Sequence, residues 1–277
     1  MQKLKEHFGI RIDKDVREYT PADKDYLIDL IYQHKVLYFA NQTLTFDELS
    51  ALSEILGSIW TNQPGGLLYG NGEGKASHSD TNKITRVSNH GGVLGDYEVD
   101  WHCDISHKPW NSKGGTMPFR FLYCVKTADD ETSVTSWFDQ CWLYNNIPED
   151  LRAYVETLEA NFKAPYKTWW YDNTIPFVLA DPIDGKKAVS LQKMFFRHFK
   201  GLGKVESDAI VDQLLKIALA EENVYRHEWA VGDLILSNNY NTAHKREAML
   251  TKQERTLWRT TFQIPELIPH EIKPRAF

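Results

Sequence analysis

Apolar residues recur with a helical period near the start of the chain and with a strand period afterwards. Thr20 and Pro21 place a cap residue before proline at a first helical position. Leu27, Ile28, Leu30 and Ile31 follow at helical spacing, predicting a helix over 21–35. The apolar run Val-Leu-Tyr-Phe at 36–39 reads as a strand. Thr45 and Glu48 form a capping-box pair ahead of Leu49, Leu52, Ile55 and Leu56, predicting a second helix. The polar, glycine-rich stretch 61–82, which contains His78, reads as a loop, and its part from Leu68 to Asn82 is placed to act as a lid.

Beyond this point the pattern changes to short β-like runs at 84–88, 119–126, 133–138, 188–191, 233–237 and 257–264. Their spacing and their β-branched and aromatic content predict a mostly β protein with flanking helices, built as an antiparallel sandwich. Helical inserts interrupt it at about 140–160 and 204–222. The first runs from Ile147 and Pro148 to Leu158, and the second carries Ile210, Leu214, Leu215, Ile217 and Leu219. No repeat, low-complexity tract or Pro/Gly/Ser-rich linker divides the chain, so 1–277 reads as one domain.

Composition narrows the function classes. A net charge of −6 argues against a nucleic-acid groove, which needs a basic face to neutralise phosphates. There is no secretory apolar segment and no apolar stretch long enough to span a bilayer. Cys103, Cys124 and Cys141 form no CxxC pair and read as free thiols, so the expectation is a cytoplasmic protein. The 13% aromatic content, with nine Trp, reads mostly as core.

The chemistry concentrates in Asp100-Trp101-His102-Cys103-Asp104. On a strand or strand end, residues i and i+2 point to one side, so His102 and Asp104 can reach a common metal while Cys103 turns away. A third ligand must come from elsewhere, and His244 follows the run 233–237. Two imidazoles and one carboxylate on one face of an octahedron leave three positions open, the facial triad of non-haem Fe(II) oxygenases. Those positions suit a bidentate 2-oxo acid plus O2. Taken alone, a His-x-Asp is more often a surface pair or an ordinary hydrogen-bonded histidine. Arg255 and Arg259, 11 and 15 residues after His244, change the balance: four residues apart on a strand they share a face, and arginine suits a bidentate carboxylate clamp.

With these residues in place, the sequence resembles the taurine dioxygenase-like (TauD/TfdA) branch of Fe(II)/2-oxoglutarate oxygenases. The resemblance runs from His34-Lys-Val-Leu-Tyr-Phe-Ala-Asn-Gln-Thr-Leu-Thr through Leu56-Gly57 and Trp101-His102-Cys-Asp104. It closes on Trp229-x3-Asp233-Leu-x4-Asn239-x4-His244 and the two arginines. It implies a double-stranded β-helix, or jelly roll, with Fe(II) on His102, Asp104 and His244. It also implies Arg255 on the C5 carboxylate of the co-substrate 2-oxoglutarate, with O2 as oxidant. A threonine usually shares that carboxylate after a pair of glycines. This chain has no such glycines in 131–138, and Thr135 is the best match, with Thr132 as alternative. Arg259 answers to the arginine that binds an anionic group of the substrate, and a role on 2-oxoglutarate or in the structure stays open. The retained carboxylate of Asp104 points to hydroxylation, desaturation or another C–H oxidation rather than halogenation.

Other residues carry weaker expectations. Asn89 and His107 are candidate substrate contacts, although a polar rim position is the simpler reading of His107. His78 and His90 read as loop residues, His198 and His227 as surface. Trp169, Trp170 and Tyr171 suit an aromatic or cationic substrate or a structural patch. The substrate class stays broad: a small molecule, anionic, amino-acid-like or a natural-product intermediate. A homo-oligomer stays open. Two competing readings are a catalytically inactive jelly-roll binding protein, which has no need of all four residues, and zinc hydrolysis, which leaves the arginine clamp unexplained.

Overall fold

The structure, a computed structural model, describes residues 1–59, 83–90, 96–104, 119–128, 133–163, 172–181, 184–250 and 252–264. The expected lid 61–82 with His78, together with His107, Thr132, Trp169, Trp170 and Tyr171, lies outside the described residues.

Both N-terminal helices form. The first opens with a 3-10 turn, Pro21–Asp23, continues as Lys24–His34, and stops at Lys35, which adopts the left-handed conformation (φ 64°). The second, Phe46–Leu56, starts on the expected box: Glu48 N donates to Thr45 Oγ1 at 3.2 Å and Thr45 N donates to Glu48 Oε2 at 2.7 Å. It ends at Gly57, where a Cβ would collide with the carbonyl oxygen of Gln263, so only glycine permits this close approach. Leu27, Leu30, Ile31, Leu49, Leu52 and Leu56 pack onto Leu37, Phe39, Phe121, Leu236 and Phe262 of the larger sheet.

That sheet orders its strands as Gln2–Lys3, Ile10–Arg11, Val36–Phe39, Leu234–Ser237, Phe119–Lys126, Thr256–Gln263 and Ser58–Ile59, with Thr85–Ser88 also paired to Thr256–Gln263. A four-stranded sheet, ordered Val224–Glu228, Val134–Asp139, Thr242–Arg246 and Val99–His102, supplies the second layer. Alternation sorts its side chains. Trp101, Cys103, Phe138 and Ala243 turn outward into a core shared with the inserts, whereas His102, Thr135, Trp137, His244 and Arg246 turn inward and line a cavity.

The inserts differ in detail from the expectation. Ile147 and Pro148 break the first into Gln140–Asn146 and Glu149–Val155, followed by the strand Glu159–Lys163 of a three-stranded sheet. The second is Lys204–Ala218, then a 3-10 turn at Glu221–Asn223. The strands Val99–His102, Thr242–Arg246 and Val224–Glu228 have no counterpart among the expected β-like runs. His102, His244, Arg246 and His227 stand at their inward positions, so these strands lack the apolar alternation by which strands are read. Among the described residues no helix is long and apolar enough to cross a membrane.

Candidate metal centre and anion pocket

His102 ends its strand directly across from His244, which sits mid-strand. The ring centroids are 4.2 Å apart. Asp104, two residues past His102, places Oδ1 3.6 Å from His102 Nε2 and Oδ2 3.6 Å from His244 Nε2. One ligand atom from each of the three residues lies within 4.8 Å of the others. Ligands about 2.1 Å from one ion and at right angles stand about 3 Å apart, so these donors would draw together around a single metal.

Local contacts fix the donors. Only the Nδ1 tautomer of His102 can donate to the carbonyl of Asp100, at 2.8 Å, and this turns the Nε2 lone pair toward Asp104 and His244. Burial pushes His102 down to about 4, with the charges of Arg120 and Arg259 acting in the same direction. Burial, then His102, Arg120 and Arg259, holds His244 well below its ordinary range. Both rings are therefore neutral near pH 7, the state a metal ligand requires. Trp137 stacks against His244 and the edge of Phe195 meets His102. Asp104 is held through its backbone: its N–H donates to Asn239 Oδ1 at 2.9 Å, and Asn239 Nδ2 donates back to its carbonyl at 2.9 Å. Cys103 turns away, as alternation predicts. Its thiol donates to the carbonyl of Thr242 and accepts from Gln140 Nε2, and burial pushes it up to about 12.

Deeper along the cavity, Arg255 Nη2 donates to Thr135 Oγ1 at 3.1 Å, and Trp229 Nε1 donates to the same oxygen at 2.9 Å. The guanidinium of Arg255 also lies over the Trp229 ring at 5.8 Å. Arg255 is 2% exposed, and burial followed by the charge of Arg246 pushes it down to about 9. Arg259 stands nearer the triad, with Nη1 3.9 Å from Asp104 Oδ2. Arg120 touches the same carboxylate oxygen directly.

The structure thus brings His102, Asp104, His244, Thr135, Arg255 and Arg259 to one cavity. Asn89 is engaged otherwise: Nδ2 donates to the carbonyl of Gln253 and Oδ1 accepts from Arg255 N at 2.8 Å, so its amide holds the backbone that presents Arg255. His227 corrects its surface reading. It is buried, with Nδ1 2.7 Å from Tyr225 Oη and Nε2 3.0 Å from Asp233 Oδ2, and its ring meets Trp229 edge-on. His198 is exposed, as expected.

Sequence reasoning did not single out Arg120 and Arg246 as site residues. Arg120 carried a signal, a charge followed by the apolar run 121–125 within the strand Phe119–Lys126. Arg246 shares the face of His244 by strand alternation, which becomes visible only once Thr242–Arg246 is known to be a strand. With them, four buried arginines line the cavity, and Asp104 is the only carboxylate among its described lining residues.

Comparison with known proteins bears on the family and the fold. The sequence model of the family described as "Taurine catabolism dioxygenase TauD, TfdA family" matches residues 1–261. An (S)-phenoxypropionate/alpha-ketoglutarate-dioxygenase of Sphingobium herbicidovorans is 24% identical over 256 residues, covering 82% of this chain and 81% of that one. An alpha-ketoglutarate-dependent 2,4-dichlorophenoxyacetate dioxygenase of Cupriavidus pinatubonensis is 25% identical over 268 residues, covering 90% and 92%. The crystal structure of a taurine dioxygenase from Burkholderia xenovorans superimposes with a TM-score of 0.76 at 21% identity, over 94% of this chain and 89% of that chain, a likeness of fold.

Proposed function

This chain belongs to the TauD/TfdA family of Fe(II)- and 2-oxoglutarate-dependent dioxygenases, and from that premise we propose how its own residues divide the work. His102, Asp104 and His244 hold the iron. Arg255 and Thr135 hold the C5 carboxylate of 2-oxoglutarate. Arg259, at the metal end of the cavity, holds an anionic group of the primary substrate.

The observation that carries this reading is the convergence of two neutral, oriented imidazoles and one carboxylate on a common point. When bound, iron and 2-oxoglutarate supply the activation of O2, with 2-oxoglutarate converted to succinate and CO2 and a substrate C–H bond oxidised. The protein's part is binding and orientation. The Asp100 carbonyl fixes the His102 tautomer, Asn239 fixes the Asp104 backbone, and Arg255 with Thr135 sets the distance of the co-substrate from the triad. The apolar walls contributed by buried Trp137 and Leu257 and half-buried Leu122 limit the access of water to the cavity. An anionic substrate is supported by the excess of guanidinium over carboxylate in the cavity and by the carboxylic acids that two relatives are named for. We read the whole chain as one catalytic domain, because the site draws on both sheets and on residues from 102 to 259.

Anaerobic addition of Fe(II) and then 2-oxoglutarate should give a weak visible metal-to-ligand charge-transfer band. His102→Ala and His244→Ala should lose it, together with substrate-dependent succinate release. Arg255→Ala should keep the band but require much more 2-oxoglutarate to reach it. Coupled succinate formation retained in either histidine variant would sink the ligand assignment.

A further inference from the structure

The inner face of the four-stranded sheet is organised in two rungs. In the first, Trp137, His244 and His102 stand side by side in register. In the second, Thr135, Arg246 and Val99 do the same, and a register shift lets Val99 and His102, three residues apart, both face the cavity. Two residues along a strand span about 6.8 Å, comparable to the extended length of a five-carbon diacid. A 2-oxo acid that meets a metal at the first rung is therefore long enough to reach the second with its far carboxylate.

We propose that Arg246 is a second guanidinium for that far carboxylate, so that Arg246 and Arg255 close on it from two sides of Thr135. The inference rests on the reading of His102, Asp104 and His244 as iron ligands and of 2-oxoglutarate as co-substrate. Three observations carry it. Arg246 is directly across from Thr135 in the ladder, lines the cavity and is buried. Its guanidinium is fixed, since Nη2 donates to the carbonyl of Tyr97. And both guanidiniums line one cavity beside the Thr135 hydroxyl, where the charge of Arg246 bears on Arg255 while Asp96 acts on Arg246, so an anion at Thr135 would meet two buried positive charges. Arg259 and Arg120, by contrast, stand by Asp104 at the metal end. The cavity thus divides its positive charge between the metal end and the far-carboxylate end.

The test compares 2-oxoglutarate with 2-oxovalerate, which has the same chain length and no far carboxylate. Each is titrated anaerobically into the Fe(II)-loaded protein, and the charge-transfer band reads out binding without turnover. Arg246→Met should weaken 2-oxoglutarate about tenfold to a hundredfold and leave 2-oxovalerate within about twofold. Arg246→Lys, which restores the charge without the fork, should recover part of the loss. Equal weakening of both acids would assign Arg246 to the structure of the metal site and overturn the proposal. So would an unchanged affinity for 2-oxoglutarate. A wild-type protein that binds Fe(II) but gives no band with either acid would remove the underlying cofactor reading, an outcome distinct from any failure of the Arg246 variants.

Discussion

At the scale of single residues, the threonine of the clamp shows how a hydroxyl is given one role. Oxygen in Thr135 has two lone pairs and one proton. Trp229 Nε1 and Arg255 Nη2 both donate to it, at 2.9 and 3.1 Å, so the proton is left to donate to an acceptor elsewhere, and the proposed co-substrate carboxylate would supply one. Trp229 is itself oriented by the buried His227, which is held between Tyr225 and Asp233. Trp229→Phe keeps most of the packing and removes the indole N–H. The KM for 2-oxoglutarate should rise about threefold to tenfold while kcat changes little, because one neutral hydrogen bond orienting a binding group is lost. Steady-state kinetics at saturating substrate check this, and an unchanged KM would mean that Arg255 alone orients the hydroxyl. The sequence alone could not isolate this threonine, since 131–138 lacks the expected glycines. Its partner Trp229 was visible only as part of the resemblance, because a hydrogen bond between residues 94 apart leaves no local trace.

At the scale of elements, legibility followed the side of the sheet that a strand presents. Phe119–Lys126, Leu234–Ser237 and Thr256–Gln263 bury apolar residues against the N-terminal helices and were readable from composition. Thr242–Arg246 was not, because its inward side chains, His244 and Arg246, belong to the cavity. The turn before that strand, 238–241, is an asparagine-rich device with similarly quiet periodicity. Asn238 Oδ1 accepts from Tyr240 N and Asn241 N, Asn241 Nδ2 donates to Asp181 Oδ2 at 2.9 Å, and Asn239 exchanges two hydrogen bonds with the backbone of Asp104. This turn therefore ties the element that presents His244 to the strand end that presents Asp104. Asn239→Ala should weaken Fe(II) binding about tenfold to a hundredfold, the usual effect of losing a group that orients a ligand. A metal titration followed by tryptophan fluorescence measures it, with circular dichroism expected to stay at the wild-type level. Affinity within twofold of wild type would show that the carboxylate holds its place without the turn.

At the scale of the molecule, the site depends on two sheets keeping a fixed separation, since Arg255 and Arg259 come from one side and the triad from the other. The outer faces are covered by apolar helices, which hold each sheet but do not by themselves set one against the other. Part of that role falls to a buried ion pair. Lys35, at the left-handed stop between the helix Lys24–His34 and the strand Val36–Phe39 of the larger sheet, places Nζ 2.7 Å from Asp139 Oδ2. Asp139 ends a strand of the smaller sheet and caps Gln140–Asn146, accepting from Cys141 N and Trp142 N. The pair is almost fully buried, so removing the cation leaves a carboxylate whose remaining partners are neutral. Lys35→Met should cost about 3–5 kcal/mol of unfolding free energy, the range for breaking a buried pair from one side. Lys35→Met combined with Asp139→Asn should recover much of it, because the asparagine oxygen still caps the helix and no charge stays buried. Urea unfolding of the metal-free protein measures both. A single variant that loses less than about 1 kcal/mol, or a double variant no better than the single, would place the coupling of the sheets in the apolar contacts between them instead.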